Sequence, residues 1–362
     1  LKYLFYFFLK AILIIKYRNI GDTLLSTALI SNLKYHYPSS KIDYALNDGC
    51  EEMISNNPQI NNIIKYNRKF TKNLPQIKRI FYEIKNLHQL RKNNYDLVIN
   101  LTEGERGSLI ALFSGAKKKL GFRVRKGILS KLRIFDIIGD DTTSQHAVEK
   151  DLQFLKFLGK KVVNKEVSIF WPKEIEQKID QIIKNNELQD FIHIHPVSRW
   201  MFKCWDDNRM SKVIDFLIIK KNFKVLITGS NAKHEKNRID KIINLCESNP
   251  VNLTGKLTLK EVAYLSSKSK FFFGIDSAPM HMAAAINTPV VSIFGASEAK
   301  KWGPWANHGI NNYTNKGIQK NSNHLIFADN DHSIFFSDGE KKCQGMINIS
   351  LESVIEALDE RY

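Results

Sequence analysis

Residues 270–295 read KFFFGIDSAPMHMAAAINTPVVSIFG, and this stretch decides the fold class. The apolar run at 271–273 has the length and composition of a strand that is buried on both faces. A glycine and polar residues break the run, and Pro279 is tolerated in a first helical turn because its missing N–H would have no partner there. Residues 287–289 end the helix, and residues 290–294 form the next buried strand. The stretch therefore predicts a βαβ unit of a parallel sheet.

The turn after the first strand is the ligand-binding end of such a unit. Free N–H groups and the helix dipole favour an anion there, such as a diphosphate. Asp276 or Ser277 is a natural N-cap, and His281 follows in the first turn, within reach of a bound phosphate. The pattern fits a phosphate-binding turn, and it equally fits a plain helix start in which Asp276 only caps and His281 only packs.

The whole chain alternates strand-like and helix-like segments. Strands are predicted at 11–15, 41–46, 62–66, 95–101 and 118–122, and then at 191–195, 223–228, 251–253, 270–275 and 290–294. Helices are predicted at 22–36, 48–55, 74–91, 103–113 and 146–158, and then at 174–185, 207–220, 232–247, 259–267 and 279–286. The pattern resets around residues 168–173. This alternation predicts an α/β protein of two Rossmann-like parallel-sheet domains, residues 1–172 and 173–362, facing a central cleft.

The end of the chain is less regular. Residues 307–344 show little periodicity and are predicted to be loops. Residues 351–358 form a closing helix, which belongs to the second domain or packs back on the first.

The 362 residues carry a formal net charge of +17, spread along the chain. Such a charge suits nucleic acid, an anionic membrane surface or a phosphorylated substrate. Nucleic-acid-binding motifs are lacking, so a nucleic-acid partner is not expected. The four cysteines show no C-x-x-C spacing, which argues against a zinc site or a disulfide framework and indicates a reducing, cytoplasmic compartment.

The N-terminal stretch LKYLFYFFLKAILIIKY is membrane-like in composition. Lys10 interrupts it, and it is shorter than the ~20 apolar residues of a spanning helix. Residues 3–9 either rest in a membrane interface or pack on the first domain.

The first strand is followed by K-Y-R-N-I-G-D-T at 16–23. Gly21 lets backbone approach a ligand closely, and Asp22 stands at a helix start whose dipole favours the ionised carboxylate. A carboxylate in a cleft can accept the proton of an attacking hydroxyl, which contributes about 10²–10⁴ in rate. Asp22 as an ordinary N-cap is the alternative, and both roles are compatible.

The second domain's first strand runs into H-I-H-P-V-S-R-W-M-F-K-C-W at 193–205. Arg199 and Lys203 fall in the loop after the strand, at the ligand-binding edge of an open sheet. With the Asp276 turn, this loop can hold a diphosphate and stabilise the charge on a departing nucleotide. His193 alternates with apolar residues and reads as a core residue, whereas the role of His195 stays open.

Four motifs occur in one order: G-D at 21–22, S-R-W-M-F-K-C-W at 198–205, D-S-A-P-M-H at 276–281, and F-G-A-S with K-W-G-P-W at 294–305. Together they resemble the ADP-heptose:lipopolysaccharide heptosyltransferase family over nearly the whole chain. That family has the GT-B fold, with the active site between its two domains. The second motif is most similar to the heptosyltransferase III branch, which adds a side-branch heptose to the second inner-core heptose.

The resemblance implies roles for individual residues. Asp22 matches the proposed general base, and Ser198 and Lys203 match contacts to the donor diphosphate. Leu257 falls where relatives place an apolar residue against adenine. Glu235 matches an acidic residue that binds ribose.

The resemblance also assigns Asp276, Ser277 and His281 to the turn that holds the nucleotide's ribose and phosphates. Relatives often have glycine where this chain has Ala278-Pro279, which leaves the backbone of that turn open while keeping the helix start.

The sequence thus predicts an inverting transferase that moves heptose from ADP-heptose to a phosphorylated lipid A–core glycolipid, peripheral to the cytoplasmic face of the inner membrane. Neither a metal nor another cofactor is expected. Four cationic residues are predicted either to grip acceptor phosphates or to be plain solvated residues: Arg18, Arg123, Arg125 and Lys126. The alternatives are heptosyltransferase I or II activity, another GT-B transferase or epimerase, and a basic nucleic-acid-associated protein.

Overall fold

The computed structural model describes residues 9–141, 145–337 and 339–362. They form two compact units, and the chain passes from one to the other between Phe170 and Trp171. The sequence placed this boundary two residues later. Apart from Leu9, the segment predicted to rest in a membrane interface lies outside the described residues.

The first unit is built on a six-stranded sheet in which every neighbouring pair is parallel. Its strands are β1 (Ala11–Lys16), β2 (Lys41–Asn47), β3 (Asn62–Tyr66), β4 (Leu97–Asn100), β5 (Lys118–Phe122) and β6 (Ile137–Gly139). The order across the sheet is β3-β2-β1-β4-β5-β6. The central strand β1 is a continuous apolar run because helices cover both faces of such a sheet. The sequence did not predict β6, which has only three residues.

Among the residues of the first unit that the structure describes, six α-helices accompany this sheet. They are α1 (Ile20–Leu25), α2 (Thr27–His36), α3 (Arg68–Asn73), α4 (Gln76–Arg91), α5 (Glu105–Phe113) and α6 (Ala147–Phe157). The single helix predicted at 22–36 is wrong, since the chain bends at Ser26. The Ser26 hydroxyl donates to the Thr23 carbonyl at 2.7 Å and accepts from the buried Tyr44 hydroxyl at 2.5 Å. The helix predicted at 48–55 is only a short 3₁₀ turn, Glu51–Met53.

The second unit has a seven-stranded sheet. Its strands are β7 (Phe191–His195), β8 (Lys224–Ile227), β9 (Val251–Asn252), β10 (Phe271–Ile275), β11 (Val290–Phe294), β12 (Gly317–Asn321) and β13 (His324–Ala328). The order is β12-β13-β11-β10-β7-β8-β9, and the β12–β13 pair alone among these is antiparallel. Strand β10, helix α11 (Ala278–Ala285) and strand β11 confirm the predicted βαβ unit.

The remaining helices of this unit flank its sheet. They are α7 (Lys173–Asn185), α8 (Asp207–Asp215), α9 (Lys233–Asn244), α10 (Leu259–Lys268), α12 (Ala299–Trp302), α13 (Gln344–Asn348) and α14 (Leu351–Arg361). Helix α8 continues into a π-helical turn, Phe216–Lys220. The closing helix α14 places Val354, Ala357 and Leu358 in the core of the second unit.

The expectation that residues 307–344 are only loops is wrong. Besides β12 and β13 they include the hairpin of β14 (Ile334–Ser337) and β15 (Glu340–Cys343). Strand β13 is buried throughout and pairs in parallel with β11. It has only five residues and is entered from a polar turn in which Ser322 has a φ of +53°. The apolar run at 325–328 stands between polar segments, outside the strand–helix alternation by which the sequence revealed the other buried strands.

The chain after β11 is fixed to its last segment by two glycines. A Cβ atom on Gly295 would lie 2.3 Å from the carbonyl carbon of Gly345, so only glycine allows this contact. The Gly295 carbonyl also accepts a hydrogen bond from Nδ1 of His332 at 2.7 Å. The turn that follows β11 is therefore held by residues that come much later in the sequence.

Candidate active site

A cluster of hydrogen-bonded polar side chains lies at the carboxyl edge of the second sheet. Asp276 follows β10 directly, and its Oδ2 accepts hydrogen bonds from Lys203 Nζ and Ser297 Oγ, both at 2.5 Å. Lys203 ends a 3₁₀ turn in the loop after β7, and Ser297 lies in the loop after β11. Strands β7, β10 and β11 are neighbours in the sheet, so their following loops meet at one edge. The structure thus brings the predicted Lys203 and Asp276 into contact.

The charge of Asp276 is set by these neighbours. Burial alone would raise the pKa of this carboxyl, but the Lys203 ammonium, His281 and the hydrogen bonds from Lys203 and Ser297 together hold it below its usual value. The His281 Nε2 atom lies 3.8 Å from Asp276 Oδ1. Asp276 is therefore ionised at neutral pH and is unsuited to accept a proton there.

The start of α11 presents a hydroxyl with unused hydrogen-bonding capacity. Ser277 is the N-cap residue of this helix. Its Oγ atom is buried, and it has no hydrogen-bond partner among the described residues. A buried hydroxyl left unsatisfied costs about 1–3 kcal/mol, which favours a site whose ligand completes the bond. The first-turn N–H groups of α11 and the helix dipole make an anionic ligand the natural choice.

The other predicted donor residues are spread along this edge. Ser198 is half-buried in the loop after β7, where its hydroxyl accepts from the Trp200 amide at 3.3 Å. Leu257 is half-buried and packs against the cluster that includes Leu253 and Tyr264. The contact of Leu257 with adenine stays a prediction.

A chain of hydrogen bonds joins the two histidines on β7. The His193 Nδ1 atom lies 2.7 Å from Ser266 Oγ, which itself lies 2.9 Å from the Val262 carbonyl oxygen. The His193 Nε2 and His195 Nδ1 atoms lie 2.7 and 3.0 Å from the same Thr228 hydroxyl oxygen. A neutral imidazole donates from one ring nitrogen and accepts at the other. The chain therefore fixes the orientation of both rings.

The imidazole rings of His193 and His195 are both neutral at physiological pH. Burial lowers the pKa of His193 to about 3, and it lowers the pKa of His195 to about 4 against the opposing effect of the Glu235 carboxylate. Glu235 is itself buried in the first turn of α9 and accepts from the Ser230 amide at 2.9 Å. Glu235 therefore offers a carboxylate acceptor near the end of β7, beside the neutral ring of His195.

The predicted base of the first unit, Asp22, lies in α1. It is half-buried, and its Oδ2 accepts from the backbone amide of Asn19 at 3.3 Å. Asn19 is the N-cap of α1, so the alternative that Asp22 itself is the N-cap is wrong. Asp22 occupies the third helical position instead, where the dipole favours a carboxylate.

A buried ion pair lies close to Asp22. Lys16, the last residue of β1, donates from Nζ to both carboxylate oxygens of Asp151 on α6 at 2.7 and 2.9 Å. Burial raises the pKa of the Asp151 carboxyl, Lys16 opposes this rise and Asp22 adds to it. Sequence reasoning missed this pair because its members are 135 residues apart and share no motif.

The predicted acceptor-binding cations follow strands of the same sheet. Arg18 pairs with Glu103, which also accepts from Lys150 at 2.7 Å. Arg125 pairs with Asp141 at 2.9 Å. Arg123 and Lys126 are exposed in the loop after β5. Arg18 and Arg125 are therefore salt-bridged in the first unit.

The described residues offer neither a metal-binding cluster nor a membrane-spanning helix. Within residues 9–141, 145–337 and 339–362, His, Cys, Asp and Glu side chains form no group of three or more that is suited to hold a metal ion. Across the same ranges, every helix is too short or too polar to span a bilayer.

Comparison with known proteins identifies the family. Residues 84–325 match glycosyltransferase family 9 (heptosyltransferase). The chain is 35% identical over 298 residues to lipopolysaccharide heptosyltransferase 3 of Escherichia coli K12, an alignment covering 80% of this chain and 84% of the relative. The resemblance drawn from the four motifs, including the heptosyltransferase III branch, is confirmed.

Solved structures show the same fold. The glycosyltransferase family 9 protein of Veillonella parvula superposes with a TM-score of 0.78 at 21% identity, over 97% of this chain and 96% of that one. Heptosyltransferase II of E. coli superposes with a TM-score of 0.71 at 18% identity, over 97% and 98%. The predicted GT-B fold class is confirmed. The chain belongs to glycosyltransferase family 9, the heptosyltransferases, and is a glycosyltransferase.

Proposed function

We propose that this protein transfers heptose from ADP-heptose to the inner core of lipopolysaccharide with inversion, as a heptosyltransferase III. The identity to lipopolysaccharide heptosyltransferase 3 supports this substrate pair. The observation that carries the proposal is the Lys203–Asp276–Ser297 cluster beside the unsatisfied Ser277 hydroxyl. It lies where nucleotides bind in open α/β sheets, beyond the carboxyl ends of the strands.

In the proposed reaction, an acceptor hydroxyl oxygen forms a bond to the anomeric carbon as the bond from that carbon to the ADP oxygen breaks. Asp22 takes the hydroxyl proton, and ADP departs with the bonding electron pair. Lys203 and the N–H groups at the start of α11 stabilise the negative charge that develops on the diphosphate. We propose that no metal is needed for this step, because these groups already supply positive charge.

The rest of the donor is assigned along the same edge. Ser198 and His281 contact the diphosphate, Glu235 accepts from the ribose hydroxyls and Leu257 packs against adenine. Ser277 supplies its unsatisfied hydroxyl to a phosphate oxygen.

On the acceptor side, we propose that a phosphorylated lipid A–core glycolipid binds the first unit at the cytoplasmic surface of the inner membrane. The support is the formal net charge of +17 and the basic loop after β5. Arg123 and Lys126 are the first candidates for phosphate contacts. Arg18 and Arg125 would have to exchange their carboxylate partners for phosphate.

The test is to incubate the purified protein with ADP-heptose and lipopolysaccharide cores truncated at defined lengths, and then to weigh the products. We expect one added heptose on cores that carry the second inner-core heptose. Addition to shorter cores would assign heptosyltransferase I or II activity instead. Transfer from a uridine-linked sugar, with none from ADP-heptose, would overturn the proposed donor.

A further inference from the structure

Helix α4 carries a row of large apolar side chains on its surface. Ile77, Ile80, Phe81 and Ile84 are 70%, 52%, 68% and 56% exposed. Their spacing of i, i+3, i+4 and i+7 places them on one face of the helix. A face of this kind normally packs against a protein core, yet here it is open to solvent. We call these four residues the α4 stripe.

The helix is nevertheless held in the first unit through other residues. Leu90 is buried in the unit's core and Leu87 packs against the same cluster. Glu83 accepts from Arg106 of α5 at 2.8 Å. The exposure of the α4 stripe is therefore a property of a docked helix, and removing its apolar side chains should leave the docking contacts in place.

Cations border the stripe. On the flank of the stripe, Lys78 and Lys85 of α4 are exposed, and so is Lys72 at the end of α3. The one acidic residue in α4 is Glu83, whose charge is paired with Arg106. The α4 stripe is thus an apolar row within a positively charged surface.

The apolar stripe and the cations beside it together indicate what kind of partner binds this surface. An interfacial helix buries its apolar face at the headgroup boundary while its cations attract anionic lipids. A second copy of this chain would set cations against cations around the same stripe, which opposes self-association. We propose that the α4 stripe docks the protein on the surface of a bilayer that contains anionic lipid. Its purpose rests on the proposed function, since docking would carry the enzyme to a lipid-anchored acceptor.

The experiment is co-sedimentation of the full chain with vesicles of phosphatidylglycerol and phosphatidylcholine, or of phosphatidylcholine alone. We expect binding to the anionic vesicles, and weaker binding as salt is raised. The double variant Ile80→Ser/Phe81→Ser should bind at least about tenfold more weakly, because it lacks two large apolar side chains that would be buried at the headgroup boundary. Circular dichroism should show that both proteins are folded.

A matched control removes two exposed isoleucines from the second unit, at 69% and 51% exposure: Ile310→Ser/Ile318→Ser. This variant should bind vesicles like the wild type. Equal loss in both double variants, or no binding of the wild type to anionic vesicles, would overturn the proposal. So would a wild-type dimer in solution that Ile80→Ser/Phe81→Ser converts to a monomer, since the stripe would then be a protein interface.

The proposed function is tested separately with a deacylated, water-soluble core acceptor. Ile80→Ser/Phe81→Ser should transfer heptose to this acceptor at the wild-type rate and lose rate only on acceptor held in vesicles. An equal loss on both acceptors would show that the stripe serves the reaction itself and would overturn its role in docking. Vesicle binding by a wild type that transfers to neither acceptor would support docking and refute the proposed function.

Discussion

The two sheets present very different carboxylates at their ligand-binding edges. Asp276 of the second unit is buried and bonded to Lys203 and Ser297. Asp22 of the first unit is half-buried, and its carboxylate accepts from a backbone amide of its own turn. A carboxylate neutralised by a lysine stabilises a structure but accepts protons poorly. The comparison supports the proposal that the edge of the second unit binds the donor and that Asp22 accepts the proton.

The largest expected effect comes from removing the proposed base. Asp22→Asn should lower kcat by about 10²–10⁴, since general-base catalysis contributes that much. Its affinity for ADP should stay at the wild-type value, as measured by calorimetry. Asp276→Asn is the matched change in the second unit, and there the affinity for ADP should fall. Normal turnover in Asp22→Asn would reverse the assignment.

The second prediction is that the buried Lys16–Asp151 ion pair contributes to the stability of the fold. Lys16→Met leaves Asp151 as an unpaired buried carboxylate, a change that costs about 3–5 kcal/mol. Urea denaturation should show this loss in the free energy of unfolding. The control Lys16→Met/Asp151→Leu removes both charges and should recover most of the stability. Failure of the double variant to recover would show that packing, and not charge, explains the loss.

Within the second unit, Lys203→Ala should raise the Kd for ADP by at least about tenfold, because a charge-assisted hydrogen bond contributes about 1.5–3 kcal/mol. Lys301, which pairs with Glu298 at 2.6 Å, provides a control lysine in the same unit. Lys301→Ala should leave the affinity unchanged. An unchanged affinity in Lys203→Ala would remove this residue from the donor site.

The last prediction concerns the pH dependence of the free energy of unfolding, where the expected change is smallest for a step of one pH unit. Burial lowers the pKa of His193 to about 3 and of His195 to about 4, against 6.5 in the unfolded chain. The unfolded state therefore binds more protons below pH 6.5, and the stability of the fold should decrease as pH falls from 6.5 toward 4. Each histidine adds about 1.4 kcal/mol per pH unit to this slope. Urea titrations of His193→Phe should show a slope lower by that amount, and an unchanged slope would contradict the neutral ring.

The features that could be predicted from the sequence are those with a local signal in the chain. The βαβ unit at 270–295 was predictable because buried parallel strands are continuous apolar runs and helices begin with recognisable polar residues. Lys203 and Asp276 lie in the loops that follow such strands, and Asp22 lies in the first turn of the helix after β1, so their place at the sheet edges was predictable as well. Their roles were argued from residue chemistry and from the family resemblance, and they stay proposals.

The features that sequence reasoning missed are polar residues whose partners lie far along the chain. Ser297 meets Asp276 across 21 residues, and Ser266 meets His193 across 73. Lys16 meets Asp151 across 135. Such contacts depend on tertiary packing and leave no periodic signal. Strand β13 was missed for a related reason, since its apolar run lies among polar residues and its place in the sheet depends on pairing with β11 and β12.

The contact between Gly295 and Gly345 links the donor edge to a distant part of the chain. Ser297 stands two residues beyond Gly295, whereas Gly345 opens the last stretch before the closing helix. A Cβ atom on Gly345 would lie 2.7 Å from the backbone oxygens of Asp331 and Gly295, neither of which can move aside alone. Mutations or truncations made near residue 345 to trim this protein would thus disturb the loop that presents a hydroxyl to Asp276. For an engineer, the segment around Gly345 is part of what holds Ser297 against Asp276.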